Sequence, residues 1–250
     1  MERLFKGINT GIIVACDVNT KEELYNLVEK TTDVEGIVGY KVGFMLGTGF
    51  GLRNIIPEMR EYTDKPIIYD QQKAGTDIPA MGKNFGKLMA DAGVDAAIIF
   101  PQAGPETQVA FVNGLIDNGI IPIGGGEMTH PKYLTKDGGY IRNDAPNEMY
   151  SLFLEKGVRD FVVPGNKPEA IRRYVDGPFR EFKNEIALHS PGHGKQGGIL
   201  SDAIKAAFPV RYFGIVGSGV YKQENITEAA EKWATEALNT WDDLESKIGE

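Results

Sequence analysis

The sequence predicts an α/β protein folded as a single (β/α)8 barrel, the architecture known as a TIM barrel. Short runs rich in apolar and β-branched residues recur eight times along the chain, and amphipathic helical patterns separate them. The chain has 250 residues, a common length for such a barrel. No Pro/Ser-rich linker or break in composition divides it, so we expect one domain over residues 1–250.

The candidate strands are almost continuously apolar, which is typical of a parallel sheet that helices cover on both faces. An open doubly wound sheet is the competing architecture, and its usual mark is a G-x-G-x-x-G turn after the first strand. Here the first strand ends in Cys16-Asp17-Val18-Asn19, without glycine. The predicted strands span residues 11–16, 36–42, 66–69, 96–100, 120–123, 160–163, 186–189 and 212–216.

Helical periodicity lies between most of these strands and after the last one. Candidate N-caps support two of the helices: Asn19 or Thr20 precedes the first, and Thr76 or Asp77 precedes the helix at 81–92. The predicted helices span residues 21–29, 81–92, 107–118, 148–156, 167–174, 201–207 and 227–238.

Composition and charge argue against several classes of function. With 27 basic and 35 acidic residues the formal net charge is −8, which disfavours nucleic acid or an anionic membrane as the main partner. The single cysteine, Cys16, cannot form an internal disulfide, and no His/Cys set has the pattern of a zinc site. The sequence has no apolar signal core and no stretch of about 18 uncharged apolar residues. We therefore expect a soluble, cytoplasmic protein.

Charged side chains follow the predicted strands where a barrel has its active site, at the carboxyl ends. Asp17 and Lys41 lie at the ends of the first two strands, and Asp70, Lys73 and Asp77 follow the third. Carboxylates buried near each other cost several kcal/mol unless a cation lies between them, so such a cluster is either open to water or a site. The alternation of cations and anions favours a site with preorganised electrostatics.

Several short motifs resemble the orotidine 5′-phosphate decarboxylase family, and more loosely the wider superfamily of phosphate-binding barrels with a D-x-K-x-x-D motif. They occur in the family's order along nearly the whole chain. The motifs are Ala15-Cys16-Asp17, Gly39-Tyr40-Lys41-Val42-Gly43, residues 70–79, Glu127-Met128-Thr129-His130-Pro131, residues 190–198 and residues 215–221.

The resemblance implies a lyase that converts orotidine 5′-phosphate to uridine 5′-phosphate, the last step of pyrimidine synthesis, without metal or organic cofactor. It implies that Asp17 holds a ribose hydroxyl. Lys41, Asp70, Lys73 and, from the partner subunit of a homodimer, Asp77 would surround the scissile carboxylate, with Lys73 protonating C6 after carbon dioxide leaves.

The same resemblance implies the remaining substrate contacts. Thr129 would contact the pyrimidine, Pro191 would line the carboxylate side, and Gln196 would bridge base and phosphate. The loops after strands seven and eight would hold the phosphate through backbone N–H groups. The predicted substrate-binding set is Asp17, Ile78, Thr129, Pro191, Gln196, Gly197, Gly217 and Ser218.

Two departures from the family pattern stand out. The spacing around Lys73 is longer by one residue on each side, so a bulge or early turn must bring Lys73 back toward Asp70. Ser218 stands where the family has a phosphate-binding arginine. The candidates for replacing that positive charge are Lys195, Arg142 and Lys222.

The chemistry of the residues agrees with the resemblance. Loss of carbon dioxide from an sp2 carbon leaves a localised carbanion, which needs a fixed cation and a proton. Two alternatives remain: a related sugar-phosphate decarboxylase or synthase, and a catalytically silent nucleotide-binding relative. Lys41 and Gln196 favour the orotidine phosphate reaction, since the sugar-phosphate relatives have a magnesium-binding Glu after strand two and lack the Gln-containing lid.

The three histidines have simpler interpretations than catalysis. His189, at the end of an apolar strand, is predicted to be a hydrogen-bonded core residue. His130 and His193 lie in loops that face the site, and we expect them to be solvated or hydrogen-bonding residues.

Overall fold

Eight parallel strands form a closed barrel, as the sequence predicts. The computed structural model describes residues 4–70 and 77–248. Each strand pairs with the next one along the chain, and the last pairs with the first. The strands are β1 (Thr10–Cys16), β2 (Ile37–Gly43), β3 (Ile67–Asp70), β4 (Ala96–Ile99), β5 (Ile121–Gly125), β6 (Asp160–Val162), β7 (Ala187–Ser190) and β8 (Arg211–Val216).

Helices connect the strands and surround the barrel. None of the helices within the described residues is both long and apolar enough to cross a membrane. The helices are α1 (Lys21–Thr31), α2 (Phe44–Leu46), α3 (Leu52–Met59), α4 (Gly82–Ala92), α5 (Pro105–Ile116), α6 (Ala145–Glu155), α7 (Pro168–Asp176), α8 (Leu200–Ala207), α9 (Ser218–Tyr221) and α10 (Ile226–Ser246).

The segment between β2 and β3 is helical, although no helix was predicted there. It contains α2, a π-helical turn at Gly47–Gly51 and α3. Glycines in the turn and Pro57 inside α3 give this segment a low helix propensity. Burial of Ile55, Ile56 and Met59 against the barrel overrides that propensity.

One of the two predicted caps is present. Thr20 caps α1 in a capping box, in which its hydroxyl accepts from the Glu23 amide and the Glu23 side chain accepts from the Thr20 amide. The predicted cap at Asp77 is wrong, because its carboxylate accepts from the Ile78 amide and α4 begins later, at Gly82. A 3₁₀ turn at Pro79–Met81 separates the two and has no side-chain cap. Thr76 lies outside the described residues.

Two apolar layers make the core: one between the sheet and the helices, the other inside the barrel. Phe5 packs on Phe213 at the amino-terminal end of the barrel. His189 lies beside these rings and bonds Asp160 at 2.8 Å, so the predicted core histidine is confirmed. Apolar side chains and the buried His189–Asp160 pair fill the lower interior, which leaves the carboxyl end of the strands for the predicted site.

Candidate active site

Lys41 lies at the centre of a charged cluster at the carboxyl end of the barrel. Its Nζ is 3.1 Å from Asp70 Oδ2 and 3.4 Å from Asp17 Oδ1. The three residues come from adjacent strand ends, since Lys41 of β2 is paired in register with β1 and β3. The Lys41 and Asp70 side chains are only 9% and 11% exposed, whereas Asp17 is half exposed.

The carboxylates keep the buried ammonium charged. Burial acts to lower the pKa of Lys41, but the charges and hydrogen bonds of Asp70 and Asp17 outweigh it and raise the pKa above its ordinary value. Lys41 is therefore a fixed cation at neutral pH.

Two features beside this cation matter for a ligand: a glycine without a side chain and a carboxylate oxygen of Asp70. Gly43 has no side chain, and a Cβ there would lie 3.0 Å from Asp17 Oδ1 and 3.8 Å from Lys41 Nζ. Within residues 4–70 and 77–248, Oδ1 of Asp70 is buried without a hydrogen-bond partner. Lys73, predicted to be the proton donor beside Asp70, lies outside the described residues, as does the predicted bulge around it.

Asp77 and Ile78 are exposed. The Asp77 carbonyl accepts from the Thr107 hydroxyl at 2.8 Å, which fixes the backbone at the start of this segment. In the part of the chain that the structure describes, Asp77 forms no ion pair with a basic side chain. The structure therefore joins Asp17, Lys41 and Asp70 by ion pairs, and no ion pair among the described residues links Asp77 to them.

Tyr221 is a neighbour of the cluster to which the sequence assigned no role. A Cβ added at Gly217 would lie 3.3 Å from its ring. Burial, and to a smaller extent the negative charge of Asp17, raise the pKa of Tyr221. Tyr221 and Lys222 line a cavity of about 380 Å³ together with Asp17. The sequence could have pointed to Tyr221 only through its place in the motif at 215–221, and that motif does not show which side of α9 faces the site.

Thr129 is held by contacts between the loops after β5 and β6. Its carbonyl accepts from Asn166 Nδ2 at 3.2 Å. Below it, Glu127 is 2% exposed, and its carboxylate accepts from Lys167 at 2.9 Å and from Arg173 at 3.2 Å. The hydroxyl of Tyr174 donates to the same carboxylate. This buried network was not foreseen, because Arg173 and Tyr174 lie in a helix whose pattern gives no sign of it.

The loop after β7 carries the predicted residues Pro191, Gln196 and Gly197. Pro191 is half-buried, while Gln196 and Gly197 are exposed at the tip. Gly217 and Ser218 lie where α9 begins, directly after β8.

The three candidates for the missing arginine lie in different places. Lys222 lines the cavity beside Asp17, and Lys195 is exposed at the tip of the loop after β7. Arg142 is paired with Asp144 and Glu148 in a groove beside α5 and α6. This placement disfavours Arg142 as a ligand for phosphate near β8.

No group of three or more His, Cys, Asp or Glu side chains within the described ranges has the arrangement of a metal site. The charged cluster consists of one ammonium between two carboxylates, whose oxygens can accept hydrogen bonds from hydroxyl groups of a substrate.

Comparisons with known proteins give the chain's relatives. The family described as "Orotidine 5'-phosphate decarboxylase / HUMPS family" matches residues 10–233. An orotidine 5'-phosphate decarboxylase of Methanosarcina barkeri is 31% identical, over 90% of this chain and 93% of the relative. The enzyme of that name from Pyrococcus abyssi is 30% identical, over 88% and 95% of the two chains.

Solved structures give the same result for the fold. The crystal structure of orotidine 5'-phosphate decarboxylase from Pyrococcus horikoshii has a TM-score of 0.73 and 28% identity, covering 90% of this chain and 98% of that one. A Methanocaldococcus jannaschii orotidine 5'-monophosphate decarboxylase complexed with the inhibitor BMP has a TM-score of 0.78 at 23% identity, covering 91% and 98%. With the family match over residues 10–233, these likenesses confirm the resemblance read from the motifs: the chain belongs to the orotidine 5'-phosphate decarboxylase / HUMPS family.

Proposed function

We propose that this protein decarboxylates orotidine 5′-phosphate to uridine 5′-phosphate without a metal or organic cofactor. The observation that carries the proposal is the Lys41 ammonium, buried between Asp17 and Asp70 at the carboxyl end of the barrel. The names of the relatives from Methanosarcina and Pyrococcus support the same reaction. Lys41 also disfavours a sugar-phosphate reaction, because those relatives have a metal-binding Glu after strand two.

The proposed reaction uses two ammonium groups: Lys41 as a fixed positive charge and Lys73 as the proton donor. The bond between C6 and the carboxylate breaks, carbon dioxide leaves, and the electron pair stays on C6. The Lys73 ammonium then gives its proton to C6, and water returns a proton to Lys73. Oδ1 of Asp70 is buried and has no hydrogen-bond partner among the described residues, and this supports the assignment, since a buried carboxylate oxygen favours a second ammonium nearby. A carbanion beside fixed charge is stabilised without reorganisation of solvent.

We assign the remaining substrate contacts to the residues around this cluster. Asp17 is half exposed and free to accept from a ribose hydroxyl on its open side. Thr129 and Pro191 would face the pyrimidine ring, while Gln196 and Gly197 would approach from the loop tip. Gly217 and Ser218 would offer backbone N–H groups to the phosphate. Lys222, in the cavity beside Asp17, and Lys195 are the cations that could replace the usual arginine.

We further propose that one barrel domain spans residues 1–250, acts in the cytoplasm, and forms a homodimer in which Asp77 and Ile78 complete the partner's site. Exposed apolar side chains near the carboxyl end of β2 and in the chain after Asp77 support the dimer, because burial of exposed apolar surface favours association. They are Phe44, Met45, Ile78, Met81 and Leu88.

The test is turnover of orotidine 5′-phosphate by the purified protein in the presence of a chelator, followed by ultraviolet absorbance. We expect turnover, and we expect Lys73→Ala to abolish it while the circular dichroism spectrum stays unchanged. If the unmutated protein binds uridine 5′-phosphate tightly but shows no turnover at high enzyme concentration, the chain is a silent nucleotide-binding relative and the proposal is wrong.

A further inference from the structure

His193 is buried although the loop that carries it is exposed. The loop runs from Pro191 to Ile199, between β7 and α8. Residues 194–197 at its tip are exposed, yet His193 is only 8% exposed. A polar ring that enters the protein from an exposed loop needs a slot and a partner.

Glycines from two other elements make the slot. A Cβ added at Gly165, which follows β6, would lie 2.6 Å from Cε1 of His193 and 2.7 Å from its Nε2. A Cβ added at Gly214 of β8 would lie 3.6 Å from the same ring. The imidazole therefore fills space that exists because residue 165 has no side chain.

Tyr212 of β8 supplies the polar partner. Its hydroxyl lies 3.1 Å from Nε2 of His193, and the two rings meet edge to face at a centroid distance of 6.2 Å. Burial lowers the pKa of His193 to about 4, so the ring is neutral at physiological pH and the bond joins two neutral groups.

The anchored residue lies where the loop closes on itself. The Gly198 amide donates to the Gly192 carbonyl at 3.1 Å, and the Gly194 amide donates to the Gly198 carbonyl at 3.1 Å. Both bonds involve a residue next to His193, so the two ends of the loop are joined at the anchor. The Gly197 amide bonds the Gly194 carbonyl at 2.8 Å and folds the tip, which presents Gln196.

We propose that His193 is a positioning residue: its ring, seated against Gly165 and bonded to Tyr212, locks the base of the β7–α8 loop so that Gln196 and Gly197 face the phosphate end of the nucleotide. This inference rests on the proposed function for the identity of the ligand. The anchoring itself rests only on the contacts above. Neither His193 nor Tyr212 touches the reacting atoms in this assignment.

The first experiment measures binding of uridine 5′-phosphate and of uridine to His193→Ala by calorimetry. We expect the phosphate-bearing ligand to bind about tenfold more weakly, since misplacement of a contacting group by about 1 Å costs this much or more. Uridine lacks the phosphate and keeps only the base contact assigned to Gln196, so its affinity should fall clearly less, by about threefold at most. Equal losses for both ligands would overturn the positioning role, because damage to the whole barrel weakens both.

Three further variants separate the hydrogen bond from the packing. Tyr212→Phe removes only the hydroxyl, and we expect it to weaken uridine 5′-phosphate binding in the same way as His193→Ala. His193→Gln restores a donor near the position of Nε2 and should recover most of the affinity. Tyr40→Phe is the matched control, because its buried hydroxyl bonds Thr31 at 2.9 Å and lies outside the barrel. It should leave the affinity unchanged.

A second experiment does not depend on the ligand. Trypsin can cleave after Lys195 at the loop tip only when the loop opens, and mass spectrometry can follow that cleavage in the otherwise native protein. We expect about tenfold faster cleavage in His193→Ala, because local opening sets the rate. Lys136, exposed in the loop after β5, is the internal reference and should be cleaved at the unmutated rate.

The two experiments separate the failure of this inference from that of the proposed function. Faster cleavage at Lys195 alone supports the anchor even if the protein proves unable to decarboxylate its substrate. Unchanged cleavage at Lys195, or an equal increase at Lys136, would overturn the anchor whatever the activity.

Discussion

Lys41 is both buried and charged, and its two carboxylate neighbours explain how. The desolvation of a lone ammonium would favour its neutral form, but Asp70 and Asp17 reverse the direction of the pKa shift. A lysine whose folded-state pKa is raised stabilises the fold fully at any pH below its unfolded pKa, and this stability is lost only as the pH rises through the folded value. The arrangement is therefore fully formed at neutral pH.

Replacement of Lys41 by Met should destabilise the protein by about 3 kcal/mol, because Asp70 would remain buried without its cation. Urea unfolding at pH 7 measures this change. Lys21→Met is the matched control: Lys21 pairs with Glu58 at 2.8 Å in a partly exposed position, and its loss should cost about 0.5 kcal/mol. Equal losses in the two variants would show that the Lys41 cluster is no more sensitive than a surface pair.

The buried His193 should make the stability of the protein depend on pH, and comparison of the unmutated protein with His193→Gln isolates this contribution. Its folded-state pKa is lowered to about 4 by burial, so below pH 6.5 the unfolded chain binds more protons than the folded one. The contribution is intact above pH 6.5 and is lost as the pH falls toward 4. The unmutated protein should lose about 3 kcal/mol more than His193→Gln over this range, at 1.4 kcal/mol per pKa unit. Parallel urea-unfolding curves for the two proteins from pH 7 to pH 4 would contradict the shift.

The sequence could predict the Asp17, Lys41 and Asp70 cluster because each residue lies at or near the carboxyl end of an apolar strand: Asp17 follows β1, Asp70 ends β3, and Lys41 lies two residues before the end of β2. In a closed parallel barrel such positions must meet at one end. It could not predict the anchoring of His193 or the carboxylate network of Glu127. Both depend on which side chains from distant elements fill a buried slot, and spacing along one segment carries no information about that.

At the scale of elements, Glu127 links the loop after β5 to α7. Its buried carboxylate accepts from Lys167 and Arg173, while Lys167 also donates to the Met128 carbonyl at 2.9 Å. The carbonyl of Thr129 in turn accepts from Asn166. Two loops that carry predicted substrate contacts are thus fixed to each other from below.

Glu127→Gln should therefore destabilise the protein by about 2 kcal/mol, the size of a lost charge-assisted hydrogen bond. It should also raise the KM for orotidine 5′-phosphate, because Thr129 loses its support. Urea unfolding and steady-state kinetics measure the two effects. Glu185→Gln removes the exposed partner of Arg159 and should change stability by less than about 0.5 kcal/mol. A KM unaffected by Glu127→Gln would show that Thr129 does not depend on this link.

The packing of α4 on α5 depends on glycines that face each other across the helix pair. A Cβ added at Gly86 would lie 1.8 Å from the Gly114 carbonyl oxygen, a distance that only separation of the helices can relieve. Gly86→Ala should cost about 3 kcal/mol of stability by overpacking. Gly49, with no atom within 4 Å of an added Cβ, is the control, and Gly49→Ala should change stability by less than about 1 kcal/mol. Thermal unfolding compares the two, and similar midpoints would contradict the close packing.

The elements themselves were mostly predictable. The strand predictions agree with the structure to within one or two residues at each end, because a strand buried on both faces leaves a continuous apolar run. The helical segment from Phe44 to Met59 was missed, since its glycines and Pro57 mask the periodicity. Local propensity was a poor guide where tertiary burial decided the conformation.

At the scale of the whole molecule, the closed barrel brings together residues from both ends of the chain, but no ion pair among the described residues joins Asp77 to the charged cluster. Exposed apolar side chains include Ile78, next to Asp77 in the chain, and Met45. A symmetric dimer that buried these side chains would present the same residues of each chain to the other. In the proposed dimer, Asp77 of one chain would enter the site that contains the partner's Lys41.

The dimer can be tested by complementation between two inactive variants. Lys41→Ala and Asp77→Ala should each lose activity as pure homodimers, since each lacks one group in both sites. After subunit exchange at equal concentrations, half of the dimers are mixed, and one of the two sites in each mixed dimer has both groups intact. The mixture should regain about a quarter of the unmutated activity, as expected for a symmetric dimer that shares its sites. Ile78→Glu places a charge among the exposed apolar residues. It should lower the mass measured by sedimentation and prevent the recovery of activity.

If the mixture stays inactive although exchange is verified by mass spectrometry, Asp77 does not act across the interface and each barrel completes its own site.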